Sequence, residues 1–206
     1  SGVTLGALAI IGLSHFRLWD QLGFRRPERW RDLLMFAPFV LLGLAPLSAG
    51  VQAAPGTLVA WAIAALLIAF YKMVRLGGLL YALEPRGRWK AASLAALTFA
   101  LFELGGVLAG GRLAATGLLS VMYFFLSFAY GAVWLRTGTI WPLIIANALM
   151  TISAAATQRS VEASNLASSV PEMVSGIVVA ILLAAYGAFL MRKPSRSTDR
   201  SGTVTG

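Results

Sequence analysis

Cysteine is absent from the chain and histidine occurs once, as His15. No disulfide can form, no thiolate can hold a metal, and a single imidazole cannot supply a multi-histidine centre. No metal or redox cofactor is expected on these grounds, and His15 reads as an interfacial residue. Charge is scarce as well: 12% of the 206 residues are Asp, Glu, Lys or Arg, about half the share of a soluble domain. With 58% hydrophobic residues and a mean hydropathy of +0.78, a water-soluble globule is excluded. The net charge of +9 would suggest nucleic acid in a soluble protein. Here the basic residues sit in short connections between apolar runs, with no basic and aromatic surface motif, so membrane topology explains them and nucleic acid is not expected as a partner.

What the chain has in plenty is long apolar segments. They run approximately Val3–Phe16, Leu33–Ala49, Thr57–Leu83, Ala91–Gly110, Leu113–Leu135, Thr139–Thr157 and Met173–Met191. Most reach the roughly 20 residues that cross a bilayer. The expected fold is all-α, a polytopic bundle of about seven transmembrane helices. If the short first segment lies in the interface, the number falls to six. Residues 1–193 then form a single membrane domain, and 194–206, rich in Ser, Thr and Gly, form a disordered tail.

Lys and Arg in the connections set the orientation, because translocated loops are poor in them. Alternation puts thirteen of them on one side, including Arg17, Arg25, Arg26, Arg29, Arg31, Arg86, Arg88, Lys90 and Arg136, and only Arg112 and Arg159 on the other. The C-terminus is therefore expected in the cytoplasm, and the bacterial inner membrane is the expected location. The stretch Asp20–Asp32, which mixes both signs with Phe24 and Trp30 next to Trp19, reads as an anchor at headgroup level. Gly105, Gly106, Gly110 and Gly111 suit a turn or a close helix contact.

An ionisable group near the bilayer centre costs at least about 2.5–3.5 kcal/mol unless paired or hydrated, so polar positions inside the spans need partners. They are Lys72 and Arg75 in the third segment, Glu103 in the fourth and Asn147 in the sixth. At 1.5 Å per residue from the cytoplasmic ends, Tyr71 lies about 18 Å deep, Arg75 about 12 Å, Glu103 about 20 Å, Asn147 about 12 Å and Thr151 about 18 Å. Two readings follow: a site between three helices, or an ion pair of Glu103 with Arg75 or Lys72 that fastens two helices together. The ion pair is preferred, because one carboxylate without a histidine or second acid has no partner for activating water.

Three stretches carry a family likeness: LGFRRPERWRDLL from Leu22, LTFALFELGGVLAGG from Leu97, and LRTGTIWPLIIANAL over Leu135–Leu149. The region from Leu22 to about Ala156, roughly two thirds of the chain, resembles the CAAX protease and bacteriocin-processing (CPBP or Abi) family of intramembrane proteases. Family enzymes carry a Glu-Glu pair followed by three residues and Arg, a Phe followed by three residues and His, and a His followed by three residues and Asn or Asp. Carried onto this chain, the acidic pair falls on Phe70 and Tyr71, the arginine on Arg75, the second motif on Phe99 and Glu103, and the third on Asn147 and Thr151. The 32 residues from Tyr71 to Glu103 match the interval the family keeps between its second acid and its histidine. A register through Glu84 leaves only 19 residues to Glu103 and fails on that spacing.

The resemblance thus implies a frame without its reactive groups. The leading expectation is a catalytically inactive member serving as a structural or interaction subunit of a membrane complex. Its partners would be the lipid bilayer and another integral membrane protein, a lipid or an apolar cofactor. The alternatives are an active intramembrane peptidase with an unusual site around Glu103, and a lipid-handling or transport protein, although interrupted helices of the transporter kind are not evident.

Overall fold

A computed structural model describes residues 4, 19–24, 27, 30–51, 54–105, 113–156 and 166–192. Among the described residues there is no strand, and helices follow one another along the chain. They are α1 (Trp30–Leu33), α2 (Ala37–Leu44), α3 (Pro55–Leu83), α4 (Arg88–Leu104), α5 (Leu113–Thr137), α6 (Trp141–Ala156) and α7 (Leu166–Arg192), with 3-10 turns at Leu34–Phe36, Ala45–Ala49 and Glu84–Arg86. Among the described residues four stretches are long and apolar enough to cross a membrane: Trp30–Ser48, Pro55–Arg86, Thr116–Thr137 and Val174–Arg192. The shorter α6 is apolar too. The molecule is an all-α membrane protein. The first apolar segment apart from Thr4, with His15, and the tail 194–206 lie outside the described residues, as do Gly106, Gly110, Gly111, Arg112 and Arg159.

Proline sets most of the boundaries. Pro55 opens α3 after an extended Ala54, where its missing N–H would have no helical partner in any case. Pro85 turns the far end of α3 into a 3-10 turn. Pro38 and Pro46 divide the second apolar segment, so Leu33–Ala49 is a chain of short helical pieces where the apolar run alone suggested one uniform helix. The 29 residues of α3 rise about 44 Å, more than a hydrocarbon layer of about 30 Å, which a tilt accommodates.

Helix α5 is the hub. Of the window that would lie in the membrane, 56% is buried for α5, against 17–33% for the other three candidate spans. Helices α4 and α7 pack along α5, while α2 and α3 pack on α6. Small residues allow the close approach: Ala91, Ala92, Ala95 and Ala96 of α4 are fully buried, and a Cβ on Gly187 of α7 would meet Ala132 Cβ at 2.9 Å. Without water inside the bilayer, such contact-driven packing replaces the hydrophobic effect between helices.

Within the expected headgroup anchor Asp20–Asp32, Leu22–Phe24 is drawn inward, while Asp20, Gln21, Trp30 and Arg31 stay exposed. Leu22 is buried, Trp134 Nε1 donates to its carbonyl at 3.0 Å, and the Ile140 N–H donates to the Gly23 carbonyl at 3.0 Å. Gly23 has φ of 89° and lies so close to the α5–α6 turn that a Cβ would stand 2.7 Å from the Gly138 oxygen. Only glycine meets both demands.

Candidate functional site

Phe70, Tyr71, Lys72 and Arg75 fall within six consecutive positions of α3. Successive side chains turn about 100° around a helix, so they go to different neighbours. Phe70, at the first acidic position of the family motif, is buried and packs in an aromatic group. Its ring centroid lies 5.5 Å from Phe24 and 6.0 Å from Trp19, and Phe24 stands edge-on to Trp141 at 5.0 Å. This plug joins the inward-drawn segment to α3 and α6.

Lys72 turns the other way. Its Nζ lies 3.8 Å from Glu103 Oε1, donates to the Tyr123 hydroxyl at 3.3 Å and sits 4.7 Å from the centre of that ring. Glu103 occupies the last turn of α4, where the negative end of the helix disfavours a carboxylate, and the ammonium of Lys72 offsets that field. Both side chains are about a quarter exposed.

Arg75 does not join this pair. Its Cζ lies 4.2 Å from the ring centre of Phe99, 4.3 Å from Phe102 and 5.5 Å from Tyr71. Its Nε is buried without a hydrogen-bond partner, and among the described residues it makes no ion pair. Of the two cations considered for Glu103, Lys72 is the one in contact. The delocalised guanidinium, more weakly hydrated than an ammonium, is the cation better suited to an aromatic slot.

Asn147 and Thr151 belong to a third neighbourhood. Asn147 is buried beside the Tyr130 hydroxyl, which donates to Met150 Sδ at 3.3 Å. The Tyr130 ring lies 4.9 Å from Phe39. Thr151 donates to the Asn147 carbonyl at 3.0 Å. Among the described residues no hydrogen bond, ion pair or ring contact links Asn147 or Thr151 to Glu103. Similar depth on three helices does not make these residues neighbours.

Residues that sequence reasoning did not single out complete the picture: Tyr123, Phe102, Tyr130, and Trp19 and Phe24 in their role as a plug. The spacing of Phe99 and Phe102, one turn apart, was the available sign of a slot for Arg75. At the cytoplasmic end expected from charge, Arg88 donates to the Leu135 carbonyl at 2.8 Å. Burial and then nearby Arg136 lower its pKa, while Glu84 opposes them. It stays cationic and pins the α3–α4 connection to α5.

No family model, curated protein or solved structure matches the chain. The family resemblance therefore rests on the quoted motifs alone.

Chemically, the arrangement offers little to a hydrolytic reaction. Among the described residues no group of three His, Cys, Asp or Glu side chains could hold a metal ion, and the neighbour of Glu103 is the Lys72 ammonium, which in turn donates to the Tyr123 hydroxyl. A cavity of about 360 Å³ lies elsewhere, lined by Leu42, Met122, Leu126, Met150, Gly176 and Val179 among others. None of the motif positions lines it.

Proposed function

We propose that this chain is a catalytically inactive relative of the CPBP intramembrane proteases that acts as a structural or interaction subunit of a membrane complex. The observation that carries this reading is the aromatic plug. Where the resemblance calls for a water-activating carboxylate, Phe70 packs with Trp19 and Phe24. Such a ring cluster has no group that accepts a proton. The Lys72–Glu103 contact adds support, since the one carboxylate of the layer among the described residues is engaged with a cation on the neighbouring helix. The finer topology belongs to the same reading: about seven spans, and a cytoplasmic C-terminus in a bacterial inner membrane, from the positive-inside bias.

Two experiments test it. Purification in mild detergent at native expression level, with mass spectrometry of what accompanies the chain, should return a stoichiometric membrane protein partner. A single clean species would overturn the subunit reading. A reporter fused after Gly206 should read cytoplasmic and one inserted at Gly50 external, and a cytoplasmic signal from the second would overturn the topology.

A further inference from the structure

Arg75 is a charge inside the membrane layer with an incomplete set of partners. Counted from Leu83, the nearer end of α3, it stands about 12 Å in, and its ring partners Phe99 and Phe102 lie about 17 and 21 Å along α4 from Arg88. The guanidinium is therefore near the middle of a layer about 30 Å thick. Lys72, Arg75 and Glu103 together carry one excess positive charge. Stacking against rings supplies about 0.5–2 kcal/mol, less than the cost of an arginine at the centre of a span.

The surface beside it is shaped for close contact. Gly78 and Ala82 follow Arg75 along the same side of α3 at i+3 and i+7, forming a small-xxx-small pair of the kind that lets helix backbones approach. The space where a Cβ of Gly78 would stand is open, with nothing within 4 Å, and Ala82 is exposed. Phe102, which forms one wall of the guanidinium slot, is 58% exposed.

We infer that this face of α3 docks a transmembrane helix of a partner protein that carries one Asp or Glu near its midpoint, and that this carboxylate pairs with Arg75. The inference rests on the subunit reading and names the chemistry of the partner. Charge complementarity selects a carboxylate, and depth selects a helix over a lipid, because a headgroup phosphate would have to be drawn toward the centre of the bilayer to reach Phe99 and Phe102. A carboxylate carried at mid-helix arrives at that level without distorting the membrane. The guanidinium fork donates two parallel hydrogen bonds to it in a planar geometry that an ammonium cannot offer.

The test uses the full chain in phosphatidylcholine vesicles and synthetic Ala–Leu transmembrane peptides of about 20 residues, with Asp, Asn or Leu at the centre, and association read by energy transfer. The Asp peptide should bind at least about tenfold more tightly than the Leu peptide, the factor expected for one charge-assisted pair. Arg75→Gln should remove that preference and Arg75→Lys should keep part of it. Moving the Asp two turns toward a peptide end should also remove it. Equal binding of the Asp and Leu peptides to the unmodified protein would overturn the inference, and this comparison needs no variant to fold. A preference that survives Arg75→Gln would overturn it as well. If phosphatidylglycerol added to the vesicles abolishes the preference in the unmodified protein, the anion of this site is a lipid and the inference fails. The result is separable from the subunit reading: a natural partner that co-purifies with both the unmodified protein and Arg75→Gln leaves the subunit role standing while the docking point at Arg75 falls.

Discussion

Phe70 and Lys72 are two residues apart on α3 and have opposite surroundings. Phe70 faces a cluster of rings with Trp19 and Phe24, whereas Lys72 faces Glu103 and Tyr123 on two other helices. A hydrolytic site needs elements of both, an ionisable base and a cleft that admits water, brought to the same point. Here α3 separates them. On one face space is filled by aromatic carbon, and on the other the carboxylate has a cation as its neighbour. Helix geometry produces this division, because side chains two positions apart point about 160° away from each other around the axis, and no other described acid lies in the layer.

The largest loss is expected on the aromatic side. Phe70→Ala should destabilise the protein by about 3–5 kcal/mol, the usual cost of removing a buried aromatic ring. It should lower the thermal unfolding midpoint in detergent far more than Phe102→Ala, whose ring is 58% exposed. Similar midpoints for the two variants would mean that the plug does not hold the segment and α3 together.

A smaller effect sharpens how the plug is seated. Gly23→Ala should cost about 1–3 kcal/mol from backbone strain and more from the contact with the Gly138 oxygen. Gly50→Ala supplies the control, since Gly50 has φ of 90° but nothing within 4 Å of its Cβ position. The Gly23 variant should be the less stable of the two in a denaturant or thermal series. Equal losses would show that conformation alone requires glycine at position 23.

The charged side should yield the smallest numbers. A double-mutant cycle on Lys72→Gln and Glu103→Gln should return a coupling of about 0.5–1 kcal/mol, as partly exposed ion pairs do. The same cycle with Arg75→Gln in place of Lys72→Gln should return less. A larger coupling for Arg75 would reassign the partner of Glu103.

Much of the architecture is legible in the apolar runs. The run Thr57–Leu83 becomes Pro55–Leu83, and Leu113–Leu135 becomes Leu113–Thr137, because in a bilayer length and hydropathy dictate the helix almost directly. The fourth run is described only as far as Gly105: the helix covers Arg88–Leu104, which puts Glu103 in its last turn, and 106–110 lie outside the described residues. What hydropathy does not carry is azimuth. Depth along three helices suggested one layer shared by Arg75, Glu103 and Asn147, yet the rotation of each helix sends Arg75 to rings, Glu103 to Lys72 and Asn147 toward Tyr130. The inward docking of Leu22–Phe24 was hidden for a related reason. A stretch mixing charges and aromatics looks interfacial, and its burial depends on Gly23 meeting Gly138, 115 positions later.

Peptide hydrolysis by the purified protein tests the central claim most directly. Prenylated and leader-peptide substrates should be incubated with the unmodified chain, with and without divalent metal, beside a variant carrying Phe70→Glu, Tyr71→Glu, Glu103→His and Asn147→His. The unmodified protein should show no turnover under either condition. Hydrolysis by the unmodified protein that is lost in Glu103→Gln would contradict it, and would make Glu103 a catalytic base despite its contact with Lys72.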